Sequence, residues 1–233
     1  MSNDIQVGVD PVIFTVFDDR LHVLLVKRNI EPFNGCWALP GGLIDTELDM
    51  DLDAAAARKL KEKTGLDEVY LEQVCTVGSN ARDPRKWSLS IAYFALIPKP
   101  DTMLAARRGA SEVRWEPVVN DEVRMPLAFD HAGLISKAAE RLRNKVSYTS
   151  VAAHLLPREF TLAELQQVHE ILLGSTVTMA SITRRYVKGG LLEDAGKAAR
   201  QGDTGRPAAV YRLKSREGIH VFVRSLEGPR GKE

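Results

Sequence analysis

Cysteine is nearly absent. Cys36 and Cys75 are the only two in 233 residues. They match no zinc-ligand or redox spacing and give no disulfide framework. Such usage fits two reduced thiols in a cytosolic protein. Long apolar runs are missing as well: none reaches the roughly 18 residues that a membrane-spanning helix needs. The opening MSNDIQVGVD lacks a basic stretch followed by an apolar one, so no secretory signal is expected and the chain reads as cytoplasmic. There is no internal repeat and no low-complexity linker. The five histidines, His22, His131, His154, His169 and His220, show no metal-ligand spacing and read as structural. These absences exclude a disulfide scaffold, a helical membrane protein, a zinc finger and a repeat array.

Net charge is also small, with 32 Lys and Arg against 31 Asp and Glu, but it is unevenly spread. Residues 1–145 carry 19 basic and 22 acidic side chains, whereas residues 178–216 carry 9 and 3. A basic concentration in the C-terminal third, beside a mildly acidic first part, points to a division of labour with nucleic acid on the C-terminal side.

In chain order, VGVDPVIFTVFD and LHVLLVKR read as two strands around a DDR hairpin turn. NIEPFNGCW is a loop, and ALPGG places Gly41 and Gly42 where a chain needs unusual dihedrals or close approach to a ligand. Asp51 or Asp53 can cap the helix AAAARKLKEKTG, with Gly65 as its stop. EVYLEQVCTVGS, SLSIAYFALIP and SEVRWEPV are further strands, and FDHAGLISKAAERLRNKV has the apolar spacing of a closing helix. This mix predicts an α/β (α+β) domain over residues 1–145. A second unit is expected over 146–233. SYTSVAAHLL should be a short helix stopped by Pro157. Thr161 with Glu164 forms a capping box opening a helix that Gly174 ends. Thr178 can cap a helix over 179–188, LLEDAGKAARQGDTGRPAAVYRL reads as a hairpin, and GIHVFVRSL as a strand.

The stretch from Ala38 to Leu66 resembles the Nudix box, whose consensus is Gly, five residues, Glu, seven residues, then Arg-Glu-apolar-x-Glu-Glu-x-Gly-apolar. Gly41 and Glu47 fit the first spacing; Arg58, Leu60, Glu62, Gly65 and Leu66 fit the last block. Ten residues separate Glu47 from Arg58 instead of seven, and RKLKEK replaces the metal-gathering block. Lys59, Glu62 and Lys63 occupy the three carboxylate positions. Two ammonium groups beside one carboxylate oppose a hard divalent cation, which takes several oxygen ligands. The expectation is therefore no metal site and no catalytic residues. Asp49, Asp51 and Asp53 in the longer loop are the candidate substitute ligands, with a solvated loop and a helix cap as the plainer reading.

A phosphate pocket can outlive the metal. Arg28, Arg82 and Arg85, with Lys59 and Lys63, can neutralise a diphosphate directly. Gly41, Gly42, Glu47 and Glu62 complete the expected ligand site, and Trp87, or else Trp37, can stack an adenine. The RDPR run at 82–85 resembles a loop of ADP-ribose-related Nudix domains.

In the C-terminal unit, two helices and a short turn have helix-turn-helix proportions. With Ile182 at the centre of the buried face, Met179, Tyr186 and Gly189 fall inward. Ala180, Ser181, Arg184 and Lys188 fall outward, flanked by Thr183 and Arg185. That basic face suits a major groove. Thr178, Ser181, Thr183, Arg184, Arg185 and Lys188 are the expected DNA-contacting residues, with Arg200 and Arg206 in a wing around GDTGRPA.

The whole arrangement resembles the NrtR family of Nudix-related regulators of NAD metabolism: a Nudix-like sandwich followed by a winged helix-turn-helix. The resemblance implies a homodimer on a palindromic double-stranded operator of NAD synthesis or salvage genes. It also implies ADP-ribose or a related nucleotide as effector rather than as a cofactor. The expected function is a repressor controlled through a catalytically inactive Nudix domain. The rival is an active Mg-dependent Nudix hydrolase of ADP-ribose-like substrates, and a third reading is an RNA-associated adaptor.

Overall fold

The computed structural model describes residues 5–65, 69–99, 110–197 and 208–226. Its centre is β1 (Gln6–Phe17), an apolar strand that turns at Asp18 and Asp19, both with positive φ, into antiparallel β2 (Arg20–Arg28). β3 (Trp37–Ala38) pairs with β2, and β4 (Gly42–Leu43) with β1. β5 (Tyr70–Ser79) is antiparallel to β6 (Ser88–Leu96), which lies parallel to β1. β7 (Ala110–Pro117) adds to β2, making seven strands in one mixed sheet.

Two helices sandwich this sheet, which is why its central strands are apolar at nearly every position instead of alternating. α1 (Leu52–Thr64) covers one face, where Leu60 meets Ile13, Leu24 and Ala95. Asp51 caps it by accepting from the Ala54 N–H at 2.7 Å, and Gly65 ends it at φ 79°. Position by position the neighbouring residues Val12, Phe14, Val23 and Phe94 point the other way, to α2 (His131–Tyr148), with its Leu134, Ile135, Ala138 and Leu142.

α2 runs through the expected boundary near residue 145 without a break. The same apolar cluster continues past it into the C-terminal helices. A 3-10 turn (Val151–Leu155) and β8 (Phe160–Thr161) lead to α3 (Leu162–Leu173), which opens with the complete Thr161–Glu164 capping box and closes at Gly174 with φ 63°. Thr178 then caps α4 (Met179–Ile182). β9 (Leu192–Lys197) and β10 (Ala209–Leu213) pair, with β8 on the outer side of β10.

Two expectations are corrected. The helix over 179–188 is α-helical for one turn only, then widens into a π turn over Thr183–Val187, closed by Lys188 N–H to Thr183 O at 3.0 Å. The wider turn presses the Arg185 carbonyl against Gly189, where a Cβ would stand 2.0 Å from that oxygen; only glycine fits. GIHVFVRSL is not a strand. One bridge, Thr149 to Val221, holds it, and Val223 is fully exposed. The N–H groups of Phe222 and Leu226 instead serve the carbonyls of Tyr148 and Ser147 at the end of α2. Its apolar spacing imitated a strand, but its hydrogen-bonding capacity is used as a helix cap.

Candidate ligand cavity and candidate DNA-reading face

A cavity of about 240 Å³ opens between β1, the Gly41–Gly42 turn and the loop before β6. Asp10 stands in it, on the middle of β1. Ser90 donates to Asp10 Oδ2 at 2.5 Å, and Arg82 Nη2 is 3.6 Å from the same oxygen. On the far side, His131 Nε2 is 3.7 Å from Asp10 Oδ1. The Leu39 N–H donates to His131 Nδ1 at 2.9 Å, which leaves the ring proton on Nε2, facing Asp10. Burial lowers the His131 pKa, so the ring stays neutral. Gly41 is required here: a Cβ would lie 1.8 Å from Asp10 Oδ1 and 2.7 Å from the Val9 carbonyl.

The three expected arginines line this cavity, but they are not equivalent. Arg82 forks onto Asp130 at 2.9 and 3.1 Å. Arg85 forks onto Asp83 at 2.7 and 3.0 Å, which raises the arginine pKa and depresses that of the aspartate. Arg28 has no carboxylate partner among the described residues. Its Nε donates to the Pro32 carbonyl at 2.8 Å, and its guanidinium lies 4.8 Å over the Phe129 ring. Burial, then the neighbouring Arg85, lower its pKa. An unpaired, partly desolvated guanidinium is the group with most to gain from an incoming phosphate.

Gly41 and Gly42 also line the cavity; Lys59 does not, but packs against Gly42, its Cε 3.1 Å from where a Cβ on that residue would be. The other expected residues are placed elsewhere. Glu47 is exposed on the loop after β4, because the longer insert folds onto its own Asp45, and is not a lining residue. Glu62 accepts from Arg58 at 2.7 Å and lies 3.4 Å from Lys59, which depresses its pKa against the opposing effect of burial. Trp87 is also outside the cavity, 43% exposed, its ring folded over Gly78. Trp37 sits between Lys27 and Arg114, at 5.9 and 5.5 Å. The aromatic ring that lines the cavity is Phe129. Asp10, Asp83, Ser90, Phe129 and His131 were not anticipated. An aspartate inside the otherwise apolar strand VGVDPVIF was the one available signal.

The box positions do not fit a divalent cation. Glu62, the single carboxylate at the three positions of the last block, already serves two cations. The acidic insert offers no replacement either. Asp49 is clamped by Arg58, Asp51 caps α1, and Asp53 accepts from the Tyr93 hydroxyl at 2.6 Å. Among the described residues no cluster of three His, Cys, Asp or Glu side chains could hold a metal ion.

In the C-terminal unit, Arg184 and Lys188 are exposed, and Ser181 and Thr183 partly so. The Thr178 side chain accepts from the Ser181 N–H at 3.3 Å and is 3.0 Å from its hydroxyl. Arg185 is a correction. It is 7% exposed, donates to the carbonyls of Ser147, at 2.9 Å, and Arg224, and lies 4.6 Å over Phe222. A flanking arginine on a short helix has a stem long enough to turn inward, and here a carbonyl at the end of α2 and one in the C-terminal segment receive it. Arg200 and Arg206 lie outside the described residues. Beneath the helix, Tyr186 and His169 are buried and 3.2 Å apart.

Comparison with known proteins agrees with this division. The NUDIX domain family matches residues 8–137, and the NrtR DNA-binding winged helix domain matches residues 152–213. The chain is 40% identical over 97% of its length to the ADPR responsive transcriptional repressor NtrR of Acinetobacter baylyi, covering 88% of that protein. It superposes on the crystal structure of Shewanella oneidensis NrtR complexed with a 27mer DNA with a TM-score of 0.81 and 42% identity, covering 95% of this chain and 99% of that one. The NUDIX domain of the same protein, complexed with ADP ribose, matches 60% of this chain and 89% of that one at 46% identity, with a TM-score of 0.54.

Proposed function

The chain belongs to the NrtR family, and we propose that it is a transcriptional repressor whose hold on DNA is controlled by ADP-ribose, or a related nucleotide, bound in the Asp10 cavity. The observation that carries this reading is the joining of an arginine-lined cavity and an exposed basic helix face through one continuous apolar core. In this reading residues 1–145 sense and residues 146–233 bind. Arg28 and Arg85 take the diphosphate, Gly41 and Gly42 let it approach the backbone, and Asp10 accepts from sugar hydroxyls. Thr178, Ser181, Thr183, Arg184 and Lys188 face the major groove, and the wing bearing Arg200 and Arg206 meets phosphates.

Two copies would bind a palindromic operator of NAD synthesis or salvage genes, and the effector acts by favouring one dimer arrangement over the other. The Nudix domain is a receptor here, not an enzyme. That part is supported by Lys59 and Lys63 at two of the three carboxylate positions and by the engagement of Glu62 with Arg58. The cytoplasm is its proposed place of action.

The test uses a fluorescent duplex from the gene's own upstream region, titrated with and without ADP-ribose at two salt concentrations. Binding that weakens with salt and changes with ADP-ribose is the expected result; indifference to ADP-ribose overturns it. In parallel, AMP release from ADP-ribose with Mg²⁺ at about 1 s⁻¹ or faster would overturn the receptor reading.

A further inference from the structure

Past β10 the chain turns back. Residues 214–226 lie beyond the stretch that the winged helix family matches, and they return to the end of α2. This segment is fastened along its length. Arg216 donates to the carbonyls of Leu156 and Pro157 at 3.0 and 2.5 Å. His154 Nε2 donates to the Gly218 carbonyl at 3.0 Å. The His220 N–H donates to Ser150 Oγ, and the Ser150 N–H to the His220 carbonyl, both at 2.9 Å. Phe222 and Leu226 then donate to Tyr148 and Ser147 at 2.7 and 2.6 Å. Val221 and Val223 are exposed on either side of Phe222, so the Phe222 ring is what the segment turns inward.

That ring meets two consecutive residues of the π turn. The Tyr186 ring stands edge-on to it, with centroids 5.4 Å apart and planes at 69°. The Arg185 guanidinium lies 4.6 Å from its centroid. The carbonyls of Ser147 and Arg224 take the two arms of the same guanidinium. Among the described residues, Arg185 supplies the one hydrogen bond between the helix over 179–188 and α2. A cation on a ring face and a ring against a ring edge are both directional contacts. Phe222 therefore fixes the rotation of the π turn as well as its distance from α2. Side chains of one helix turn together. With Arg185 and Tyr186 held inward, Arg184 and Lys188 are left exposed.

We propose that Phe222 is a positioning residue for DNA reading: it sets the direction in which Arg184 leaves the helix by holding Arg185 and Tyr186 against the end of α2. Phe222 itself contacts no base or phosphate in this assignment. Reading a base edge depends on that direction, because an arginine must meet two acceptors at once. Attraction to phosphates depends on it far less. Loss of the ring therefore costs the operator more than it costs unrelated DNA. The inference rests on the repressor reading above.

The test uses the full chain as Phe222→Ala, Phe222→Leu and Phe222→Tyr. Each is titrated with a fluorescent duplex from the gene's own upstream region and with a scrambled duplex of the same length and composition. Phe222→Ala and Phe222→Leu should lose more than about tenfold on the first duplex and less than about threefold on the second. Phe222→Tyr keeps the ring and should bind both as the wild type does. All three should bind ADP-ribose unchanged, which shows that they fold. In hydrogen exchange, the amides of Thr183–Val187 should exchange faster in the Ala and Leu variants, while those of β1 and α1 stay protected.

Operator affinity kept by Phe222→Leu overturns the proposal, since the ring then only fills space. So do equal losses on the two duplexes, no recovery in Phe222→Tyr, or unchanged exchange at Thr183–Val187. A wild type that binds both duplexes alike overturns the repressor reading, and this inference with it. A preference for the upstream duplex that every variant keeps overturns the inference alone.

Discussion

Arg58 donates from Nε and Nη2 to the two carboxylate oxygens of Asp49, both at 2.6 Å. The Asp49 side chain is 1% exposed, and this clamp holds its pKa down at about 2. The extra residues of the loop are thereby folded back onto the helix that they precede. Replacing Asp49 by Asn removes a charge-assisted pair and should cost about 2–3 kcal/mol of stability. The sign with pH follows. A depressed carboxylate stabilises the fold above its unfolded value near 3.9, and that contribution is lost as pH falls through about 2. The gap between wild type and Asp49→Asn in urea unfolding should therefore be full at pH 6 and shrink below pH 4.

Gly41→Ala tests the geometry of the Asp10 cavity. The added methyl cannot coexist with Asp10 Oδ1 at 1.8 Å, so the turn must move off β1. ADP-ribose affinity should fall more than about tenfold, equivalent to about 1.4 kcal/mol. Melting temperature should also drop. Unchanged affinity by calorimetry would show that the effector binds elsewhere.

Arg184→Ala and Arg185→Ala should separate cleanly although the residues are neighbours. Arg184 is exposed and should cost about 1–3 kcal/mol of DNA binding with little change in melting. Arg185→Ala abandons two carbonyls and the face of Phe222, so its first effect should be on melting temperature. A duplex titration and a thermal melt on each variant decide this. Loss of DNA binding in Arg185→Ala at full stability would return that residue to the reading face.

Four buried histidines set the acid side of the stability curve. Burial lowers His22 and His131, and lowers His154 and His169 to about 4. Below about pH 6.5 the unfolded chain takes protons that the folded chain refuses, so stability falls with pH from there toward about 4. Urea unfolding at pH 7 and pH 5 should differ by a few kcal/mol, and His169→Gln should reduce the difference.

The elements and their order were legible because their signals are local. The Asp18–Asp19 turn, the Asp51 and Thr161 caps, and the stops at Gly65 and Gly174 each follow from residues within a few positions. What was not legible depends on contacts distant in sequence. Asp10 and Ser90 are eighty positions apart, Leu39 and His131 ninety-two. Trp87 looked available for stacking because nothing nearby in sequence says that Gly78 leaves room for its ring. Arg185 looked like a DNA contact because the two carbonyls that claim it belong to Ser147 and Arg224. Phe129 announces nothing in sequence, yet its ring lies beneath Arg28.

The unbroken passage of α2 from sheet to C-terminal helices has a mechanical meaning. Its 18 residues make a rod about 27 Å long. One end is wedged against the sheet, and Arg185 and the Phe222 segment are fastened to the other. A tilt of about 10° at the sensor end would swing the far end by about 5 Å, more than the 3.4 Å per base along each DNA strand. In the proposed dimer, two such rods would act as the arms of a calliper. A change too small to alter the shape of either domain would then be enough to shift both reading helices relative to their half-sites.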